Sequence, residues 1–346
     1  MDSLFENIRM FSISENMQAI LIVWLALTIE KLIRVSASID PLRFFKFVCQ
    51  QMAKKVIKKG HSHQQLVISG SLALFILVLP TLVIAYLMHD FASYQWLFDT
   101  LLLWLLIQYT EDVHLFSKGV NALEMNKKQL SKDLLQQRLL RNTQPLSALG
   151  LTKASVESIF VRYHHQQFTT IFCYLLLGPI AALAYRLCYE AHQAWNVKLT
   201  EFRVFGRLAN MLTLIFQIVP SMLLSISFVI VSSPTAVAGY FKEKQLWEML
   251  TQVLLVRNNQ NLLLLCLAHA LNVNIGGPLM YGDTKYIRLR FAPSLQAQKV
   301  ITQQNTQAIV TQPTFDTVKV LISLVNRHLI VSLLFVTWII FWLPES

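Results

Sequence analysis

Apolar and polar residues follow one another in long blocks along this chain. Apolar runs cover residues 17–29, 66–88, 96–109, 168–187, 208–231 and 329–343, with polar, mostly basic stretches between them. A helix needs about 20 apolar residues to cross a hydrocarbon core about 30 Å thick. The run 66–88, interrupted only by Pro80, is the clearest span. The first run reaches Ile33 if Lys31 snorkels to the headgroups. The run 96–109 spans only when tilted with its flanks; otherwise it is a buried helix. The last run can borrow 318–325 as a preceding amphipathic turn. The pattern predicts an all-α, polytopic membrane bundle of about six spans, with 1–346 as one membrane domain.

The polar blocks have patterns of their own. In 110–167, Leu115, Val120, Leu123, Leu130, Leu134 and Leu139 recur at roughly helical spacing, which predicts a helical loop. Pro145 and Gly150 punctuate it, and Thr152 is the expected N-cap of the next helix. The stretch 233–328 contains the densest turn signal, from Gly276 to Asp283, and a Gln/Thr-rich loop over 296–313. Polar residues also interrupt the apolar runs. Arg186, Arg207, Asn210 and Gln217 stand in or beside membrane-length segments. Such groups usually face a bundle interior or a water-filled cavity. Arg207, at a segment end, snorkels, whereas Arg186 is expected to be paired inside the bundle; Gln217, between Phe216 and Ile218, either bonds across helices or lines a polar pocket.

Composition agrees with the block pattern. The chain is 54% hydrophobic and 14% charged, against about 25% charged for a soluble domain. The formal net charge is +11, concentrated in 31–59, 110–167 and 233–328. Basic loops stay on the cytoplasmic side, so these three should share that face in a bacterial inner membrane, with both termini outside. The loop 188–207 would then also lie outside, and its Lys198, Arg203 and Arg207 fit less well. A re-entrant 168–187 segment, broken at Gly178-Pro179, would repair this. The basic residues suit anionic lipid; a soluble basic face with interleaved aromatics, as nucleic acid requires, is missing. Cys49, Cys173, Cys188 and Cys266 share no metal-ligand spacing and read as packing residues. The N-terminal stretch lacks the features of a cleavable signal, so 17–33 is expected to be a retained anchor.

Local chemistry is sparse. His61-Ser62-His63 and His164-His165 lack the further ligands that a metal site needs, and both read as solvated turns. No hydrolase-like triad spacing is present. The segment Gly276-Gly277-Pro278-Leu279-Met280-Tyr281-Gly282-Asp283 gives a closely approachable backbone, without a Walker or dinucleotide pattern. Lys285, Arg288 and Arg290 follow it.

The order of motifs resembles the CobD/CbiB family of cobalamin biosynthesis membrane proteins. Asp40-Pro41 with Val48 is similar to the family's early segment, and Val156-Glu157-Ser158 to its Glu-Ser motif. Ala182-Leu183-Ala184-Tyr185-Arg186 is similar to its Ala-Leu-Ala-Tyr-Arg. Phe205-Gly206 with Val219-Pro220 follows, then Asn259, Ala270-Leu271 and Gly276-Gly277-Pro278…Tyr281-Gly282. The resemblance implies amide formation between adenosylcobyric acid and aminopropanol or its phosphate, with ATP and Mg²⁺. It implies Asp40, Glu157 and Asp283 as the surviving catalytic carboxylates. Tyr185, Arg186, Asn259, Gly276, Gly277, Pro278 and Tyr281 are the implied substrate contacts; no metal ligand is singled out. The departures are systematic. Lys46-Phe47 replaces His-Pro; Val161-Arg162 and His165-Gln166 replace Glu-Asn and Asp-Gly; Tyr189 and His192 replace Asn and Asp. Thr213-Leu214 replaces a pair of aspartates, and Gln217 and Met222 a later Asn and Arg. Carboxylate-held Mg²⁺ is the usual requirement of phosphoryl chemistry, so the scaffold is kept while the chemistry is eroded. AmpE-type regulatory membrane proteins resemble the same fold and also lack those acids, but they are short of the Gly-Gly-Pro segment. The alternative expectation is therefore a catalytically degenerate paralogue with a regulatory or binding role.

Overall fold

The computed structural model describes residues 15–33, 40–58, 62–139, 141–232, 234–281, 284–286, 288–292 and 312–342. Helices dominate it. In chain order they are α1 (Glu15–Leu32), α2 (Pro41–Val56), α3 (His63–Phe91), α4 (Gln95–Leu106), α5 (Thr110–Glu124), α6 (Lys128–Gln136) and α7 (Ala148–Arg162). A π-helical turn, Tyr163–Phe168, joins α7 to α8 (Thr169–Leu177), and α9 (Pro179–Ala194) follows. Then come α10 (Arg207–Phe216), α11 (Ile218–Ser232), α12 (Pro234–Phe241), α13 (Lys244–Leu254) and α14 (Gln260–Leu271). The four short strands are β1 (Ile275–Gly276), β2 (Leu279–Tyr281), β3 (Thr284–Tyr286) and β4 (Arg290–Phe291), and α15 (Phe315–Trp342) is the last helix.

Among the described residues, α3 and α15 are long and apolar enough to cross a membrane, at 29 and 28 residues. The pair α10 and α11 makes a third if a bend of 50° at Gln217 is one broken span. Both long helices leave much apolar surface uncovered: Ile68, Leu72, Phe75 and Leu79 on α3, and Leu334, Phe335, Trp338 and Phe341 on α15. Helices with that exposure need lipid around them. The other apolar runs form shorter elements. Helix α4 has 12 residues. Helix α1 has 18 but includes Glu15, Glu30 and Lys31. The buried Glu30 accepts from the Tyr109 and Thr110 amides at 3.1 and 2.6 Å. It thus satisfies the free N–H groups that open α5.

The run 168–187 is two helices. Gly178 takes φ +85°, a conformation open to glycine at little cost, and Pro179 starts α9 at its first turn. The expected Gly-Pro break is therefore present. Beyond it α9 packs on α2, α3, α4, α8 and α10 and forms the centre of the bundle. Trp195, just past its end, is buried and donates to the Cys49 carbonyl on α2 at 2.9 Å. Helix α3 passes so close to the following segment that a Cβ at Gly70 would stand 2.1 Å from the Phe205 carbonyl oxygen. Helix α14 buries Leu262 through Ala268 without a break, as a helix apolar on every side must. All four cysteines are buried.

Two details correct the sequence reading. Thr152 lies inside α7; the cap is Ser147, whose hydroxyl accepts from the Gly150 amide at 3.1 Å. Leu146–Ser147 follows the Pro145 turn directly, so the helix starts as soon as a capping hydroxyl is available. His164 and His165 are buried in the π-helical turn, not solvated. The extra residue of that turn rotates both rings inward, and His164 meets the Ser221 hydroxyl at 3.1 Å. Residues 293–311, which hold most of the Gln/Thr-rich stretch, lie outside the described residues.

Candidate functional site

The three basic blocks of the chain converge on one polar cleft. Its first chamber, about 520 Å³, is bounded by α2, α5, α9, the end of α7 and the segment after α6. A narrow third chamber, about 110 Å³, shares Arg138, Arg162, Tyr189 and Gln193 with it. That neck also shares Gln193, Gln260, Leu279 and Arg288 with a second chamber of about 440 Å³ between α9, α10 and α14.

Carboxylates in the first chamber are all held by guanidinium groups. Asp40 caps α2, accepting from the Leu42 amide at 2.9 Å, and pairs with Arg43 at 3.2 Å. Arg43 also reaches Glu111. Arg138 bridges Glu111 and Asp112, each at 3.0 Å. Arg162 pairs with Asp112 and donates to the Arg138 carbonyl at 2.7 Å. Burial works against ionisation of Asp112, yet Arg162, Arg138 and the Gln166 amide outweigh it and hold the carboxyl below its ordinary range. Arg186, buried on α9, pairs with Glu190 at 3.2 Å and lies over the Tyr189 ring at 5.1 Å. Its pairing inside the bundle is as the sequence predicts.

Glu157 stands at the neck. It accepts from the Gly276 amide and from Arg288, both at 2.8 Å, with Arg141 at 3.6 Å. Burial opposes its charge, and Arg288, Arg141 and the Gly276 N–H prevail, so this carboxyl too lies low. The Gly-rich segment forms a nested hairpin. Strand β1 pairs antiparallel with β4, and β2 with β3. Gly276 and Gly277 take φ +80° and +101°. The positive φ values aim the Gly276 amide at Glu157 and the Gly277 amide at the Leu289 carbonyl, 3.0 Å away. Both glycine amides are thus spent on the protein's own acceptors. A separate cavity of about 340 Å³ lies beside Gly276, Gly277 and Pro278, with Lys153 and Arg290 on its wall.

Tyr185 and Asn259 meet at Gln217. The Tyr185 hydroxyl donates to the His165 carbonyl at 2.8 Å and accepts from the Gln217 amide at 3.0 Å. Gln217 also contacts His165 Nδ1 at 2.6 Å, and its oxygen accepts from Asn259 at 3.4 Å. Gln217 is therefore both an interhelical bond and a wall of the second chamber. The structure gathers Asp40 and Arg186 in the first chamber, Glu157 and Gly276 at the neck, and Asn259 in the second. Asp283 and the Tyr281 side chain lie outside what is described.

Sequence reasoning overlooked Arg43, Glu111, Asp112, Arg138 and Glu190 as site residues. Acids in the first turn after an apolar run, Thr110-Glu111-Asp112, are a usable signal. In the sequence the cations carry a topology signal and no mark of their partners. Among the described residues, no three His, Cys, Asp or Glu side chains gather as a cation ligand set. With the cleft carboxylates held by arginines, the described residues do not fit a carboxylate-held Mg²⁺. The positions that depart from the resembled motifs line this same cleft: Lys46, Arg162, Gln166 and Tyr189 in the first chamber, and His165, His192, Thr213, Leu214 and Gln217 in the second.

A family model described as CobD/Cbib protein matches residues 23–310. No curated protein and no solved structure matches the chain.

Proposed function

The chain belongs to the CobD/Cbib protein family, whose role is in cobalamin biosynthesis, and from that membership we propose that it acts at the amide-forming step, binding adenosylcobyric acid and aminopropanol phosphate in the cleft. The observation that carries this reading is the set of adjoining polar chambers with shared walls, which draws on every basic block within the matched residues. The second chamber is walled by Asn196, Asn210, Gln217, Asn258, Asn259 and Asn261. Amides donate and accept at once, which suits the rim of a corrinoid, itself edged with carboxamides. The first chamber supplies cations for the second partner. Joining a carboxylate to an amine also requires activation, and among the described residues the cleft carboxylates are all held by arginines, with none free to hold Mg²⁺. Ligand binding with weak or absent turnover is therefore the expected result. The purified chain in detergent is titrated with adenosylcobyric acid, and amide product is assayed with ATP and Mg²⁺. Saturable binding with product near background supports the proposal. Robust turnover would show that Asp40, Glu157 and Asp283 suffice; no binding would leave the AmpE-like regulatory role ahead. The specific observation favouring that second role is the Arg138–Asp112–Arg162 lock in the place where chemistry is expected.

The membrane arrangement we propose places 34–65, 110–167 and 233–328 on the cytoplasmic face of a bacterial inner membrane. The pairs Arg43–Glu111 and Arg288–Glu157 support it, since each ties two of these blocks together. The Trp195–Cys49 bond draws 188–207 toward the same face. All six apolar runs then enter the bilayer, and the two broken ones, 168–187 and 208–231, return to the side they left. Reporter fusions after Lys59, Asn142 and Gln304 should all report cytoplasm. A periplasmic signal from Gln304 would remove this arrangement.

A further inference from the structure

The cations of the first chamber are not all occupied. Arg186 is buried, yet of its three nitrogens only Nη2 has a partner; Nε and Nη1 have none among the described residues. A buried guanidinium with two idle donors is costly unless something accepts from them. Its orientation is already fixed by Glu190 on one side and the Tyr189 ring on another. Across the same chamber stands Lys46 on α2. It has no hydrogen-bonded or ion-paired partner among the described residues, and burial lowers its pKa from the ordinary value even with Glu190 in its field. Two cationic side chains from different helices therefore line one chamber of about 520 Å³, Lys46 without a partner among the described residues and Arg186 with two unpartnered nitrogens.

We propose that Lys46 and Arg186 form a phosphate-monoester site in the first chamber. Charge selects phosphate over carboxylate. The first chamber and the neck together are lined by seven Lys and Arg side chains against five carboxylates. Every one of those carboxylates already has an arginine partner. The surplus of two positive charges matches a phosphate dianion, whereas a carboxylate would neutralise half of it. The donors also come from two directions, which suits a tetrahedral group with three terminal oxygens better than a planar one. The ammonium and the guanidinium neutralise the phosphate here directly, without a metal ion between them. The site deepens the proposed function only in naming where its phosphorylated partner would be held; phosphate recognition by these residues does not depend on a corrinoid.

The test uses the full-length chain in detergent at fixed ionic strength. Inorganic phosphate, phosphoethanolamine and acetate are titrated separately, and binding is followed by calorimetry and by the rise in melting temperature. Both phosphate species should bind, with acetate at least tenfold weaker. Lys46→Met should weaken phosphate binding at least tenfold, and Lys46→Arg should restore most of it. Lys46 is chosen because it is only half-buried and unpaired, so its replacement should leave the fold intact; Arg186→Met carries the risk of unfolding. Inorganic phosphate bound alone, without phosphoethanolamine, would mean a site closed to esters and would overturn the assignment. So would phosphate binding unchanged in Lys46→Met, acetate binding as tightly as phosphate, or no binding by any of the three. Phosphate binding lost in Lys46→Met while adenosylcobyric acid fails to bind would uphold this site and sink the cobalamin step alone.

Discussion

Asp112→Ala should cost about 3–5 kcal/mol, the usual penalty for removing one partner from a buried ion pair. Asp112 accepts from Arg138, Arg162 and Gln166, which come from the segment after α6, the end of α7 and the π-helical turn. Without it, two part-buried guanidinium groups face each other on the cleft wall. Arg138 keeps Glu111 as a partner, so the larger loss falls on Arg162. The sign of the pH dependence follows from the depressed carboxyl. A group whose folded pKa lies below its unfolded value contributes stability that is fully present above the ordinary carboxylate range. That stability disappears as pH falls through the folded value. Thermal melts in detergent should therefore be flat from neutral pH down to about 5 and fall below about 4, with a smaller acid-side slope in Asp112→Asn. If Asp112→Ala melts together with the wild type, the arginines have other partners and this network does not hold α5 to α7.

The long elements were legible because they depend on composition alone. The run 66–88 forms the membrane-length helix that its composition predicts, and the last run joins 318–325 to make α15; 168–187 and 208–231 are as apolar, yet each breaks into two shorter helices. Local punctuation was also legible where one residue decides the outcome, as at Gly178-Pro179. Long-range partners were not. Glu30 looks like a blemish in an apolar run, and its purpose appears only when the Tyr109 and Thr110 amides, some eighty positions later, are placed against it. The π-helical turn left no compositional mark, and the inward rotation of His164 and His165 depends on it.

The cleft shows a second limit on what sequence conveys. Lys46, Arg162, His165 and Thr213 read one by one as losses from a resembled motif. Placed in space, they line adjoining chambers and are accompanied by Arg43, Arg138 and Glu111, which no motif pointed to. An acid removed next to an arginine would strand that arginine. Here the acids that remain are matched to guanidinium groups, and the surplus cations are Lys46 and the free donors of Arg186. The site is therefore electrostatically consistent as a binding site for an anion. That consistency is invisible in the sequence, where the cations read as loop charges.

Glu157→Ala should have the second large effect, and a local one. Glu157 is the acceptor that fastens the nested hairpin to α7, through the Gly276 amide and the Arg288 guanidinium. Gly276 cannot turn its amide elsewhere cheaply, because a φ of +80° is set by the turn, and the space above its Cα is filled by the Leu289 carbonyl at 2.5 Å from an ideal Cβ. Removing the carboxylate leaves a part-buried N–H and a part-buried guanidinium unsatisfied, about 2–4 kcal/mol together. Arg141, 3.6 Å away, loses a partner as well. Among the described residues few other hydrogen bonds fix the hairpin to the bundle, so the cost should appear as local opening rather than as loss of the whole fold. Hydrogen exchange should rise over 274–292 by an order of magnitude or more, with a much smaller change in α3 and α9. Glu157→Gln separates the two contributions: its amide oxygen still accepts from Gly276, while the charge opposite Arg288 is gone. Exchange near the wild-type rate in Glu157→Gln would assign the anchoring to the backbone bond, and exchange equal to Glu157→Ala would assign it to charge. Protection over 274–292 that survives Glu157→Ala would mean that the β1–β4 pairing and the packing of Ile275 and Phe291 hold the hairpin without this carboxylate.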